Sequence, residues 1–263
     1  MAEDSEDNRG RVCAVGLGPG DAALMTAEAR AVLDAVDVIC GYTVYVDLLR
    51  PLYPHKRHYT TPMRREIERC RWALATAHDE GCTVALVCSG DAGVYGMAGP
   101  LIELAEEYPG VEVEVVPGIT AACAGAAVLG APLMNDFCCV SLSDLLTPWE
   151  VIERRLKAAA LGDFALVLYN PMSRTRPDHL RRACEILRAH GKDAATVCGW
   201  VRNIGRPGQE WAFLTLDQLQ EAELDMFTTV FVGTSATRVV AGRMVTPRGY
   251  EQKTAWANGG CMQ

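Results

Sequence analysis

Three glycine-rich turns follow three apolar runs in this chain: Val15-Gly16-Leu17-Gly18-Pro19-Gly20-Asp21, Ser89-Gly90-Asp91-Ala92-Gly93-Val94-Tyr95-Gly96 and Val116-Pro117-Gly118-Ile119-Thr120-Ala121. Each run is rich in Val, Ile, Leu or Ala and reads as a buried strand. In a parallel sheet the carboxyl ends of the strands border a crevice where ligands bind. Glycine there lets the backbone approach a ligand and take positive φ. Three such turns point to a site built largely from main chain, suited to a flat or extended small molecule.

The alternation of strands and helices predicts parallel α/β architecture. In the first half, strands are expected over 11–17, 37–40, 83–88 and 111–116. Helices are expected over 27–35 with Thr26 as cap, over 62–80 stopped by Gly81, over 99–107 and over 120–129. After Pro132 the pattern changes. Strands are expected over 138–142, 164–169, 195–201 and 228–232. Helices are expected over 149–160, capped by Thr147-Pro148, over 177–190 and over 216–221. The division reads as a polar, disordered leader at 1–10, an N-terminal α/β domain at 11–135, a C-terminal α/β domain at 136–250 and a loose tail at 251–263.

With 49% hydrophobic residues in 263, a sizeable core is expected. The net charge of −8 argues against a nucleic-acid partner. No apolar run approaches the ~18 residues of a membrane span, and the N-terminus lacks signal-peptide character. Eleven cysteines, most inside apolar runs (Cys13, Cys40, Cys88, Cys123, Cys198) and none in a C-x-x-C pair, read as buried reduced thiols of a cytoplasmic protein. No metal site is expected.

The first turn invites a dinucleotide reading, but Asp21 stands where the fingerprint needs its third glycine, and the helix starts late. The second turn lacks the Gly-Lys-Ser/Thr of a phosphate loop. Asp91 can accept bonds from a ligand or from neighbouring backbone N–H groups. Asp21 reads as a brace for its own loop. Thr120 can face a ligand carboxylate or cap the following helix. Arg174, Arg176 and Arg206 lie in loops after strands, where guanidinium groups are placed to bind anions.

GLGPGD at 16–21, GDAGVYG at 90–96 and VPGITA at 116–121 together resemble the tetrapyrrole (corrin/porphyrin) methylases, over roughly 11–250. The resemblance implies two α/β domains with S-adenosylmethionine between them as co-substrate, a tetrapyrrole partner and a homodimer. Within the family, ICGYTVYVD at 39–47, GMAGP at 96–100, SLSDLLTPWEVIERRL at 141–156, YNPMSRTR at 169–176 and GRPGQ at 205–209 resemble the members that methylate C-17 of a cobalamin precursor and contract its ring. Methylation at C-20 or C-11, and a cobalt-bearing substrate, remain alternatives. So do a non-catalytic tetrapyrrole binder and a methylase acting on a protein.

By the same resemblance, Gly90, Asp91, Ala92, Gly93, Val94 and Tyr95 would contact the methionine and ribose of the cofactor. Thr120 and Ala121 would reach its carboxylate side. Tyr169, Asn170, Met172, Asn203 and Thr234 would enclose the adenine. Gly18, Pro19, Gly20 and Asp21 would border the tetrapyrrole. Ring contraction calls for a base, and Asp91, His55, His58 and Asp144 are candidates among which the sequence makes no choice.

Overall fold

The computed structural model describes residues 10–250. The loose tail and the first nine residues of the expected leader lie outside the described residues. Gly10, expected in that leader, is instead buried. Its carbonyl accepts from Glu112 N at 2.9 Å, and a Cβ there would lie 1.9 Å from Ala77 O.

Contacts divide the chain into two units at Ala121/Ala122. In the first, five strands run in the order β3-β2-β4-β1-β5, all parallel: β1 (Arg11–Gly16), β2 (Val38–Tyr42), β3 (Arg57–Thr61), β4 (Thr83–Cys88) and β5 (Glu112–Val116). Strands buried on both faces read as continuous apolar runs, and β1, β2 and β4 do so. On one face Val12, Ala14, Cys40 and Leu86 pack with Cys70, Ala73 and Leu74 of α3 (Glu66–Glu80) and with Leu101 of α4 (Ala98–Ala105). On the other, Cys13, Val15, Ile39 and Val87 pack with Ala29 and Leu33 of α1 (Ala27–Ala35) and with Val46 and Leu49 of α2 (Thr43–Leu49).

Thr26 caps α1 by accepting from Ala29 N at 3.0 Å, as the sequence predicts, and left-handed Gly81 ends α3. The helix expected from Pro62 begins only at Glu66, because Arg64 holds φ +67° and cannot continue a helix. The sequence reading also lacked α2 and β3. Their composition, TVYVDLL and RHYTT, carries no helical or strand signal strong enough to outweigh the neighbouring loops, and burial of Val46, Leu49 and Thr61 decides both.

The second unit holds a mixed sheet in the order β10-β9-β11-β8-β7. β7 (Phe137–Ser141) pairs parallel with β8 (Ala165–Tyr169). β11 (Thr228–Val232) runs antiparallel between β8 and β9 (Val197–Arg202), and β10 (Glu210–Thr215) is antiparallel to β9. One face packs against α6 (Trp149–Leu161), α7 (His179–Ala189) and α8 (Leu216–Gln220). The sequence reading missed β10, whose residues are exposed or half-buried without a clean alternation. Pro148 itself occupies the N-cap position of α6 and offers no side-chain bond, so Thr147 is not the cap.

The other face is covered by α5 (Ala121–Leu129). Gly125 lies so close that a Cβ would meet the Phe231 ring at 2.8 Å, and a Cβ on Gly199 would meet Leu129 at 2.8 Å. The short β6 (Gly130–Ala131) then pairs with β13 (Arg243–Val245), itself paired with β12 (Arg238–Val240). These contacts attach 122–135 to the second unit, so the division falls ahead of the boundary expected at 135/136.

Ten free cysteines are described. Burial pushes the thiols of Cys13, Cys70 and Cys184 up to about 12 and that of Cys88 to about 11, and raises Cys40 and Cys198 as well. Cys123, expected buried, is exposed, because α5 turns Ala122, Gly125, Ala126 and Leu129 inward instead.

Candidate functional site

The three glycine turns all leave the carboxyl edge of the first sheet, from its adjacent strands β4, β1 and β5. Their backbones touch. Leu17 N donates to Cys88 O at 2.8 Å, Gly18 N to Gly90 O at 3.0 Å and Gly90 N to Gly18 O at 2.7 Å. A Cβ on Gly16 would lie 2.6 Å from Gly118 N, and one on Gly118 would lie 2.1 Å from Gly90 O. No side chain fits between peptides so close, which is why glycine stands at both. Gly90 differs: it holds φ +71°, but its Cβ position has nothing nearer than 3.7 Å. Its Cβ position faces the Thr120 and Ala121 backbone at ordinary packing distance, and its own N–H and carbonyl are both taken up by Gly18.

Asp91 braces its own turn. Its Oδ1 accepts from Gly93 N at 2.8 Å and Val94 N at 3.1 Å, and its Oδ2 accepts from Gly118 N at 3.0 Å. The carboxylate therefore shapes the Gly90–Gly96 turn and ties it to the third turn. Asp21 likewise caps its own short turn through Ala23 N at 2.8 Å. Tyr95 is 55% exposed and holds φ +55°, a conformation costly for an aromatic residue and one that recurs at binding sites.

His55 and His58 lie elsewhere. His58 is near the amino end of β3, the outer strand of the sheet, opposite the edge the turns leave. Burial, with help from Arg50, lowers its pKa, and its Nε2 has no hydrogen-bond partner. The structure does not bring either histidine to the turns.

In the second unit β7, β8 and β9 end at one edge, which brings together Ser141, Tyr169, Asn170 and Asn203. Tyr169 Oη accepts from Ala122 N at 2.8 Å, and Asn170 Nδ2 donates to Ser141 Oγ at 3.1 Å. Asn170 and Asn203 hold φ +53° and +50°, which asparagine tolerates better than most residues. Met172 is half-buried, its sulfur accepting from Leu224 N. Arg206 N bonds Asn203 O at 2.9 Å, placing that arginine at the same edge.

Two expected contacts are corrected here. Thr234 follows β11, whose Val232 pairs with Leu166 and Cys198 near the starts of β8 and β9, so Thr234 lies at the opposite edge from Asn170. It is 6% exposed and bonded to Thr237. Its turn is held by Lys192, whose Nζ donates to Gly233 O at 2.8 Å and to Asp163 at 2.7 Å, while Ser235 bonds the same Asp163. The direction of β11 is set by tertiary pairing and has no trace in its composition. Arg176 is also turned inward: it is 7% exposed, donates to Leu142 O at 3.3 Å and faces Asp144 at 3.9 Å. Arg174 is exposed and remains available to an anion. The residue that sequence reasoning missed is His179, which meets Leu142 across 37 positions and has no local pattern to announce it.

Together these features define an α/β protein with closely packed glycine turns at the carboxyl edge of one sheet and positive-φ asparagines at that of the other. The family described as Tetrapyrrole (Corrin/Porphyrin) Methylases matches residues 11–220. A "Probable cobalt-factor III C(17)-methyltransferase" of Salmonella typhimurium is 48% identical over 237 residues, 90% of this chain and 98% of that protein. "Cobalamin biosynthesis protein CbiHC" of Archaeoglobus fulgidus is 44% identical over 247 residues; the match covers 94% of this chain but 54% of that longer protein. The crystal structure of the methyltransferase CobJ superposes with a TM-score of 0.84 at 41% identity, covering 90% of this chain and all of that one. The chain belongs to the tetrapyrrole methylase family.

Proposed function

We propose that the chain is an S-adenosylmethionine-dependent methyltransferase of cobalamin biosynthesis that methylates C-17 of precorrin-3B, or of its cobalt-bearing counterpart, with ring contraction. The observation that carries this reading is the 48% identity to the Salmonella typhimurium relative along nearly the whole of both chains. The turns support it. Gly93 and Val94 of the second turn are exposed, and Tyr95 offers an exposed ring beside them.

The co-substrate supplies a methyl group already activated on a sulfonium. The chain's contribution is placement, since holding donor and acceptor in line at near-attack distance removes most of the entropic barrier. In our reading the Gly90–Tyr95 turn, braced by Asp91, and Thr120 and Ala121 hold the donor from the first unit. Tyr169, Asn170, Met172 and Asn203 hold it from the second. Gly18 to Asp21, Arg174 and Arg206 face the acceptor, whose carboxylates call for cations. A cytoplasmic homodimer is part of the same reading.

The test is turnover with each acceptor under anaerobic conditions, with mass spectrometry and NMR of the product. A methyl at C-17 with a contracted ring is the expected result. A methyl at C-20 or C-11 would move the specificity, and absence of S-adenosylhomocysteine would leave only a binding protein. Calorimetry on Gly90→Val tests the donor site: affinity for S-adenosylhomocysteine should be lost, because a branched side chain is strained at φ +71° and would distort the turn.

A further inference from the structure

The 142–148 segment between β7 and α6 is held by two buried polar side chains that the placement of the donor does not require. Arg176 and His179 are each 7% exposed, and both reach Leu142 O, at 3.3 Å and 2.8 Å. A carbonyl only accepts, so His179 Nδ1 carries the proton. His179 Nε2 then faces Asp144 Oδ2 at 3.6 Å, and Arg176 Nε faces Asp144 Oδ1 at 3.9 Å. Trp149 lies against the imidazole at 4.7 Å between ring centres, with the Arg182 guanidinium 3.9 Å over the indole. The remaining charges at this helix start are Asp178 and its partner Arg181. Burying a guanidinium and an imidazole is unfavourable unless both are compensated. What they hold in return is one loop.

Beyond this latch the loop points Leu145 and Leu146 outward, 59% and 98% exposed. Two adjacent leucines in solvent contribute nothing to the core. Their place is specific. Leu142 N bonds Tyr169 O at 2.9 Å and Asn170 bonds Ser141, so the loop leaves the same edge as the Tyr169–Asn170 turn, and exposed Arg174 belongs to the next loop. Apolar side chains flanked by a cation complement a flat ring system rimmed by carboxylates.

We infer that 142–148 is an acceptor-binding loop: Leu145 and Leu146 lie against the tetrapyrrole ring, and Asp144, Arg176 and His179 are the latch that positions them. The inference rests on the methyl-transfer reading for the identity of the acceptor.

The test uses Leu145→Ser/Leu146→Ser, Asp144→Asn and His179→Gln in the full chain. The double variant should raise KM for the tetrapyrrole about tenfold or more, as expected when two leucine contacts are lost. Its kcat, melting temperature and affinity for S-adenosylhomocysteine should stay near wild type. Asp144→Asn and His179→Gln should raise the same KM by less, with kcat and affinity for S-adenosylhomocysteine held near wild type. An unchanged acceptor KM in the double variant overturns the inference. So does a shift from dimer to monomer in sedimentation, which would make the leucines a subunit contact. If the wild type turns over no tetrapyrrole, the methyl-transfer reading fails first. Direct titration with the tetrapyrrole then decides the loop separately: binding by wild type and not by the double variant supports it, and equal binding overturns it.

Discussion

The carboxyl edge of the first sheet is made of peptide groups in mutual contact, whereas that of the second is made of side chains reaching across loops. Gly18 and Gly90 exchange backbone hydrogen bonds, Gly16 and Gly118 pack too closely for a Cβ, and one carboxylate, Asp91, ties two of the turns. In the second unit Tyr169 reaches Ala122, Asn170 reaches Ser141, and Arg176 and His179 reach Leu142. A backbone-built edge tolerates almost no change of residue but demands no partner. A side-chain-built edge can be altered one contact at a time.

Substitution should separate the two edges. Gly118→Ala places a Cβ 2.1 Å from Gly90 O and should cost about 3 kcal/mol or more, read by urea unfolding. A cost below that of any second-edge variant would erase the contrast. Asp91→Ala removes the acceptor for three backbone N–H groups and should cost about 2 kcal/mol. That loss should be equal with and without S-adenosylhomocysteine; if saturating ligand abolishes it, Asp91 is a ligand contact instead. Tyr169→Phe removes one bond at the second edge and should cost about 1 kcal/mol.

Asp163 offers a pH test away from both edges. Burial works to raise its carboxyl, but bonds from Lys192 and Ser235 prevail and hold it below the usual carboxylate range. A depressed carboxylate contributes stability above its unfolded pKa and loses it as pH falls through the folded value. Acid unfolding curves should therefore be shallower for Asp163→Asn than for wild type, with parallel curves counting against the strut. The smallest effect on stability is expected for Arg174→Ala, within about 0.5 kcal/mol because the side chain is exposed. There the KM for the tetrapyrrole should rise while that for S-adenosylmethionine holds; equal rises would place Arg174 beside the donor.

The same contrast explains what could be read from the chain. Backbone crowding leaves glycine as its trace, so the three turns and the strands β1, β4 and β5 that feed them were legible. Thr26 and Gly81 marked their helix ends for equally local reasons. The second edge was legible only where a family motif covered it, as at Tyr169 and Asn170. His179, the inward turn of Arg176 and the direction of β11 depend on residues far apart in sequence. Thr234 was misplaced for that reason, and the bond from Gly118 to Asp91 likewise joins residues far apart in sequence.

The uneven exposure of the thiols has a practical use. Reagents that alkylate thiolates react slowly with sulfurs whose ionisation burial suppresses, which leaves Cys123 as the open target among the described residues. With Cys261 changed to serine, a fluorophore placed there would sit one residue from the amide that Tyr169 accepts. Its emission could then be followed in a stopped-flow instrument as each reactant is added, timing the arrival of donor and acceptor separately.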